Sequence, residues 1–141
     1  MATLASVAAA IVLTAPWPNG GSMPKRYSCD GAGIAPQLHW THVPRGTREL
    51  VLEVLDPDAP GGTFVHWLWA GSPATPGRNS AGGVGYTGPC PPRGKRHRYL
   101  FRLSALDRRV PLARGFDDAH LRAAVHGHVL ATGTVVGRYG R

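Results

Sequence analysis

The chain has 141 residues, 43% hydrophobic and 17% charged, the dimensions of one soluble globular domain with one core. Its 19 glycines and 13 prolines end segments abruptly and argue against long helices, in favour of short strands and loops. The formal charge of +8 admits an anionic partner, but neither a nucleic-acid motif, nor an aromatic-basic platform, nor an amphipathic basic helix accompanies it, so no specific nucleic acid is expected.

The apolar start, Met1 to Leu13, has no charged leading segment and is closed by Pro16-Trp17-Pro18. It is too short to span a bilayer as a helix. We read residues 1–10 as a small-residue extension of a single domain covering 1–141, with a first strand over Ile11–Thr14; a degenerate signal sequence is the alternative. The expected compartment is the cytoplasm, with periplasm or secretion as alternatives. Loops and turns follow to Gly33, then a short strand over Gln37–Trp40 and a turn at Pro44–Thr47. Leu50-Val51-Leu52-Glu53-Val54-Leu55 is rich in branched residues and has one charge, which predicts a largely buried strand, Glu49–Leu55. Phe64–Ala70 is an aromatic strand; alternation puts Val65, Trp67 and Trp69 on one face and Phe64, His66 and Leu68 on the other. Residues 71–94 form a long Gly/Pro/Ser loop, a length that marks a functional or disordered segment. His97–Leu103 is a strand with His97, Tyr99, Phe101 and Leu103 on one face, and Arg98 and Arg102 on an outward one. One helix is predicted around Asp117–His126, capped by an aspartate and ended by Gly127. A β-branched strand over His128–Tyr139 closes the chain.

Two cysteines, Cys29 and Cys90, fit no zinc spacing. They are either free thiols or one disulfide closing a long loop.

The stretch Asp56-Pro57-Asp58-Ala59-Pro60 terminates the buried strand, because Pro57 has no N–H to give a ladder and holds Asp56 in an extended or turn conformation. Two carboxylates are thereby set at the mouth of the sheet. Alone, this is an ordinary turn. A histidine on an apolar strand is ordinarily a satisfied core residue, and a strand tyrosine ordinarily packs. Asp56, Asp58, His66, His97 and Tyr99 together, all at strand ends beside one loop, are less readily explained so.

Asp56-Pro57-Asp58-Ala59-Pro60, His66-Trp67, Gly88-Pro89-Cys90-Pro91-Pro92 and His97-Arg98-Tyr99, in that order, resemble the phosphatidylethanolamine-binding protein family, which includes the Raf kinase inhibitor protein and plant flowering-time regulators. Tyr27-Ser28-Cys29-Asp30-Gly31 and the closing Gly127–Ala131 and Gly137–Tyr139 resemble its shorter bacterial branch. The resemblance implies a mainly β fold, a Greek-key β-sandwich with one or two short peripheral helices. It also implies a small anion pocket for phosphorylated head groups or carboxylates, lined by Asp56, Asp58, Pro60, His66, His97 and Tyr99 and walled by Gly88 and Pro89. A kinase or protease partner is implied as well. Between Trp69 and Gly85 the chain is shorter than the family pattern, which predicts a more open pocket.

In such a pocket Tyr99 donates its hydroxyl and a protonated His66 or His97 donates a charge-assisted bond, while the aspartates orient donors. The expected function is therefore a non-catalytic binding module with no cofactor and no metal. The alternative is a hydrolase-like enzyme using Asp, His and Tyr as acid–base groups, with Cys90 its only candidate nucleophile. Asp and His are also metal ligands, but this donor set fits an anion better.

Overall fold

The computed structural model describes residues 10–141, so the extension and signal-sequence readings fall almost wholly outside the described residues. Seven strands and one helix run in the order β1 (Val12–Thr14), β2 (His39–Thr41), β3 (Glu49–Asp56), β4 (Phe64–Ala70), β5 (Thr75–Pro76), β6 (Arg96–Leu106), α1 (Asp118–Val125) and β7 (Val129–Gly140). They make a two-stranded sheet, β1-β2, and a five-stranded sheet in the order β5-β4-β3-β6-β7 with antiparallel pairing throughout. Strands β3, β4 and β5 follow one another across the sheet, and β6 returns to lie beside β3, which is the Greek-key order. The domain is thus mainly β, two sheets and one helix. The segment expected to be a plain turn at Lys25–Gly33 contains one 3-10 turn, Lys25–Tyr27.

β3 is central, paired on both edges and covered on both faces, which is why its sequence is almost continuously apolar. On one face Leu52 and Val54 join Tyr99, Phe101 and Leu103 of β6 against Ile11, Leu13, Trp17, Met23 and Tyr27. On the other, Val51, Leu68 and Leu106 meet Val110, Phe116 and Leu121 of the helical side.

The predicted alternation in β4 fails at one place. Val54 pairs with Trp67 but Leu55 pairs with Val65, so His66 is an extra residue, a β-bulge. Trp67 and Trp69 therefore pack with the first face, whereas Val65 packs with Leu68 on the second, and His66 turns to Tyr99 on the first.

The shortened segment after Trp69 is ordered by its own hydrogen bonds. Asn79 is buried; its Oδ1 accepts from the N–H groups of Ala81 (3.0 Å) and Gly83 (3.1 Å), and its Nδ2 donates to the Gly85 carbonyl at 3.0 Å.

Asp117 caps α1, accepting from the His120 N–H at 2.8 Å, and the helix is docked through Glu53, the acid in the middle of β3. Glu53 Oε1 accepts from Arg102 at 2.8 Å, and Asp118 Oδ2 accepts from Arg122 at 2.8 Å. Glu53 Oε2 and Asp118 Oδ1 are buried without a donor. The Arg122 guanidinium stands 3.4 Å from that Glu53 oxygen, and one proton held between the carboxyls would satisfy both acceptors. Burial, then the bond to Asp118, raises the Glu53 pKa. Burial also pushes Asp118 up, but the bond from Glu53 and the Arg122 guanidinium outweigh it, and its pKa is lowered. The signs follow from linkage: Asp118 stabilises above its unfolded pKa of 3.8 and loses this as pH falls, whereas Glu53 stabilises below 4.5 and loses this as pH rises through its raised pKa. Stability against urea is expected to decline as pH climbs from 4.5 through the raised Glu53 pKa, and Glu53→Gln, which keeps a donor toward Asp118, is expected to flatten that limb. A variant whose curve runs parallel to the wild type would show that the proton sits elsewhere.

Candidate functional site

The pentapeptide after β3 is stapled to the start of β6 by its two aspartates. Asp56 Oδ1 accepts the Asp58 N–H at 2.8 Å, an Asx turn closed over Pro57. Asp56 Oδ2 takes His97 Nδ1–H at 2.7 Å, with both side chains buried. Asp58 turns the other way. Its Oδ2 accepts from the Arg98 N–H (2.9 Å) and Nε (3.0 Å), and its Oδ1 from the second guanidinium nitrogen at 2.8 Å. Those bonds and the Arg98 charge hold the Asp58 carboxyl well below the usual carboxylate range. Alternation explains the division: Asp56 and Asp58 flank Pro57 as neighbours on opposite strand faces, His97 and Arg98, are presented to them.

Beside this staple lies a cavity of about 380 Å³ lined by Asp56, Pro60, Phe64, His66, Thr87, Gly88, Pro91, Pro92, His97 and Tyr99, among others. His66 Nδ1 donates to the Thr87 carbonyl at 2.7 Å, which leaves Nε2 as its free nitrogen. Burial pushes the His66 pKa down, against the Thr87 carbonyl and the Asp56 charge, which push it up. The neutral imidazole is therefore favoured and Nε2 is an acceptor. The Tyr99 ring stands edge-on to His66 at 5.1 Å and stacks with His97 at 6.4 Å. Its hydroxyl is buried and has no hydrogen-bond partner, and burial and the Asp56 charge raise its pKa. A phenol in that state donates; it does not ionise at neutral pH.

The placement of the expected residues is uneven. Asp56, Pro60, His66, Gly88, His97 and Tyr99 line one cavity. Asp58 does not, because Arg98 draws its carboxylate away. Pro89 does not either: it is fully buried one layer back, its carbonyl accepting the Cys29 N–H at 3.0 Å. The expected wall is instead Gly88, where a Cβ would sit 2.5 Å from the Tyr27 carbonyl oxygen, and Thr87. Gly88→Ala is therefore expected to cost about 1–3 kcal/mol by urea unfolding and to displace the wall; an unchanged midpoint would mean the 27–28 backbone yields freely. Thr87 contributes a backbone carbonyl and Arg98 a latch. The first carries no side-chain signal in the sequence, and the second reads as an outward basic residue.

Cys29 and Cys90 form a disulfide bridge across 61 residues, so Cys90 offers no thiol while the bridge stands. Among the described residues, no three His, Cys, Asp or Glu side chains are grouped as metal ligands would be, and no helix is long and apolar enough to cross a membrane.

The model of the phosphatidylethanolamine-binding protein family matches residues 14–140. A protein of Aquifex aeolicus named UPF0098 protein is 40% identical, covering 87% of this chain and 84% of its own length. An Archaeoglobus fulgidus protein of the same name is 36% identical over 96% of this chain, which spans only 53% of that relative. The crystal structure of a Chlamydia trachomatis homologue of phosphatidylethanolamine-binding protein superposes with a TM-score of 0.89 at 38% identity, covering 94% of this chain and 98% of that one. Escherichia coli YbcL, described as a member of the mammalian family, superposes with a TM-score of 0.86 at 26% identity over 94% and 99% of the two chains. With the family model covering nearly the whole domain and the fold shared, the chain belongs to the phosphatidylethanolamine-binding protein family.

Proposed function

We propose that this domain is a binding module whose cavity at the Asp56–His97 staple takes a small anion, a phosphate monoester or a carboxylate. The observation that carries this reading is the Tyr99 hydroxyl, buried without a partner between two imidazoles. An unsatisfied buried donor costs free energy that a ligand oxygen recovers. His97, with Nδ1 on Asp56, turns Nε2 to the same ligand. His66 supplies an acceptor rather than the donor expected from sequence, so a ligand carrying its own proton, such as a monoprotonated phosphate, matches the set best. Modulation of a kinase or protease would be the wider role of such a module. The hydrolase alternative is weakened because its one candidate nucleophile is bridged. The bridge likewise supports an oxidising compartment over the cytoplasm expected at first.

Phosphoethanolamine titration followed by histidine ring shifts tests the reading. Saturable shifts at His66 and His97, lost in Tyr99→Phe or weakened about tenfold, are expected. Rings that do not respond to phosphoethanolamine or acetate would sink it.

A further inference from the structure

A second cavity, of about 740 Å³, lies at the opposite end of the large sheet, where β3 begins and β4 ends. Its lining brings together Trp40 of β2 and Trp69 of β4, whose ring centroids are 6.1 Å apart, with Arg45, Arg48 and Arg109. Both indoles are half-buried and the three arginines are exposed. Four arginines elsewhere are tied to acids, Arg98 to Asp58, Arg102 to Glu53, Arg122 to Asp118 and Arg141 to Asp30, while others such as Arg26, Arg78 and Arg138 are not; what sets this group apart is three arginines gathered around two indoles. These three guanidiniums have no carboxylate partner among the described residues. The one acid in the lining, Glu49, is half-buried and uses one oxygen, Oε2, to accept the Val110 N–H, so three guanidiniums stand against a single carboxylate there. That bond holds the segment carrying Arg109 against β3. The Arg48 N–H, bonded to the Leu106 carbonyl at 2.8 Å, holds the neighbouring residue to the same strand end. His42, in the segment leading to Arg45, has a φ of 65°, in the left-handed region that histidine enters more readily than most side chains.

Two half-buried indoles inclined at 43° and ringed by unpaired guanidiniums combine the two things single-stranded nucleic acid uses: aromatic surface for bases and positive charge for the backbone. We propose that the Trp40–Trp69 cavity binds one or two nucleotides of a single-stranded nucleic acid, without sequence preference. A polyanion is favoured over a small anion because the whole chain, at +8, adds long-range attraction to the local charge. The platform is invisible in the sequence because Trp40 and Trp69 belong to different sheets and Arg109 comes from a loop beyond β6.

The test uses the intact domain and a fluorescently labelled oligothymidylate, read by anisotropy, with tryptophan quenching as a second signal. Binding should fall steeply with salt, persist in His97→Ala and, at constant ionic strength, survive excess inorganic phosphate. The double change Arg48→Glu and Arg109→Glu, both at exposed side chains, should weaken it at least about tenfold and lower the salt slope by about 1.4, the value for two lost contacts to a single strand. Trp40→Leu should weaken it about fivefold or more, with melting curves confirming that each variant is folded. Three outcomes overturn the proposal: no binding at low salt, loss in a folded His97→Ala or on replacing chloride by phosphate at constant ionic strength, or an equal loss when Arg93, Lys95 and Arg96 at the other end are reversed to glutamate. Thymidine monophosphate binding as tightly as the strand overturns the assignment to a strand and points to a free nucleotide.

Discussion

Replacing both Cys29 and Cys90 by serine is expected to lower stability by about 4 kcal/mol and the melting temperature by about 10 °C. The bridge spans 61 residues, from the segment after the 3-10 turn to the wall of the cavity beside Tyr99, and a closure of that length removes much chain entropy from the unfolded state. It works with short-range bonds that hold the same two segments: the Cys29 N–H on the Pro89 carbonyl at 3.0 Å, and the Tyr86 hydroxyl on the Tyr27 carbonyl at 2.6 Å. Thr87 is also tied to β4, its N–H donating to the His66 carbonyl at 2.9 Å and its carbonyl accepting from His66 Nδ1 at 2.7 Å, so the variant is expected to keep its fold at the lower stability. Calorimetry with and without a thiol reductant measures the effect directly. A melting temperature indifferent to reduction would mean that the bridge does not form in solution.

Asp56→Ala is expected to destabilise the fold by about 3–5 kcal/mol, the cost of leaving one member of a buried charge-assisted pair alone. Asp56 closes the turn over Pro57 with one oxygen and holds His97 with the other, so the variant loses both and His97 keeps a buried N–H without an acceptor. Asp56→Asn separates the roles. Its single carbonyl oxygen serves the turn or the imidazole but not both, so the fold should survive with a smaller loss. Phosphoethanolamine affinity should nevertheless drop about ten- to a hundredfold, because His97 is no longer held toward the ligand. Unaltered affinity in a folded Asp56→Asn would remove Asp56 from any positioning role. Asp58→Asn makes the contrast: the latch on Arg98 is exposed, so a change of about 1 kcal/mol or less is expected, with little effect on binding.

Much of the fold was legible because its central strand is so plainly apolar. Glu49 to Leu55 reads as buried, and the stop at Pro57 follows from a missing N–H. The fold class and the order of the motifs followed from the resemblance they carry. The helix was marked by its aspartate cap and apolar stripe, and the strand of His97 and Tyr99 by uninterrupted alternation. What escaped was whatever depends on a third dimension. Asp58 looks equivalent to Asp56 in the sequence, and only the side on which Arg98 stands makes one a latch and the other a holder. Thr87 acts through its carbonyl, which every residue possesses. The short segment after Trp69 predicted a more open pocket but gave no sign of its own order, which comes from Asn79 through bonds to backbone groups within six residues.

The extra residue in β4 makes the site a matter of parity. Residues before the bulge and residues after it count their faces from different origins. His66 and Trp67, adjacent in sequence, both serve the side of the sheet that carries Tyr99. Removing Val65 would restore strict alternation without deleting a single named contact partner on β6. The strand would still pair and its aromatic character would hardly change, but the imidazole would be sent to the helix side. A deletion of this kind is therefore a frame-shift in space rather than in code. It predicts that relatives with an intact set of pocket residues but one residue fewer in this strand would be blind to the ligand.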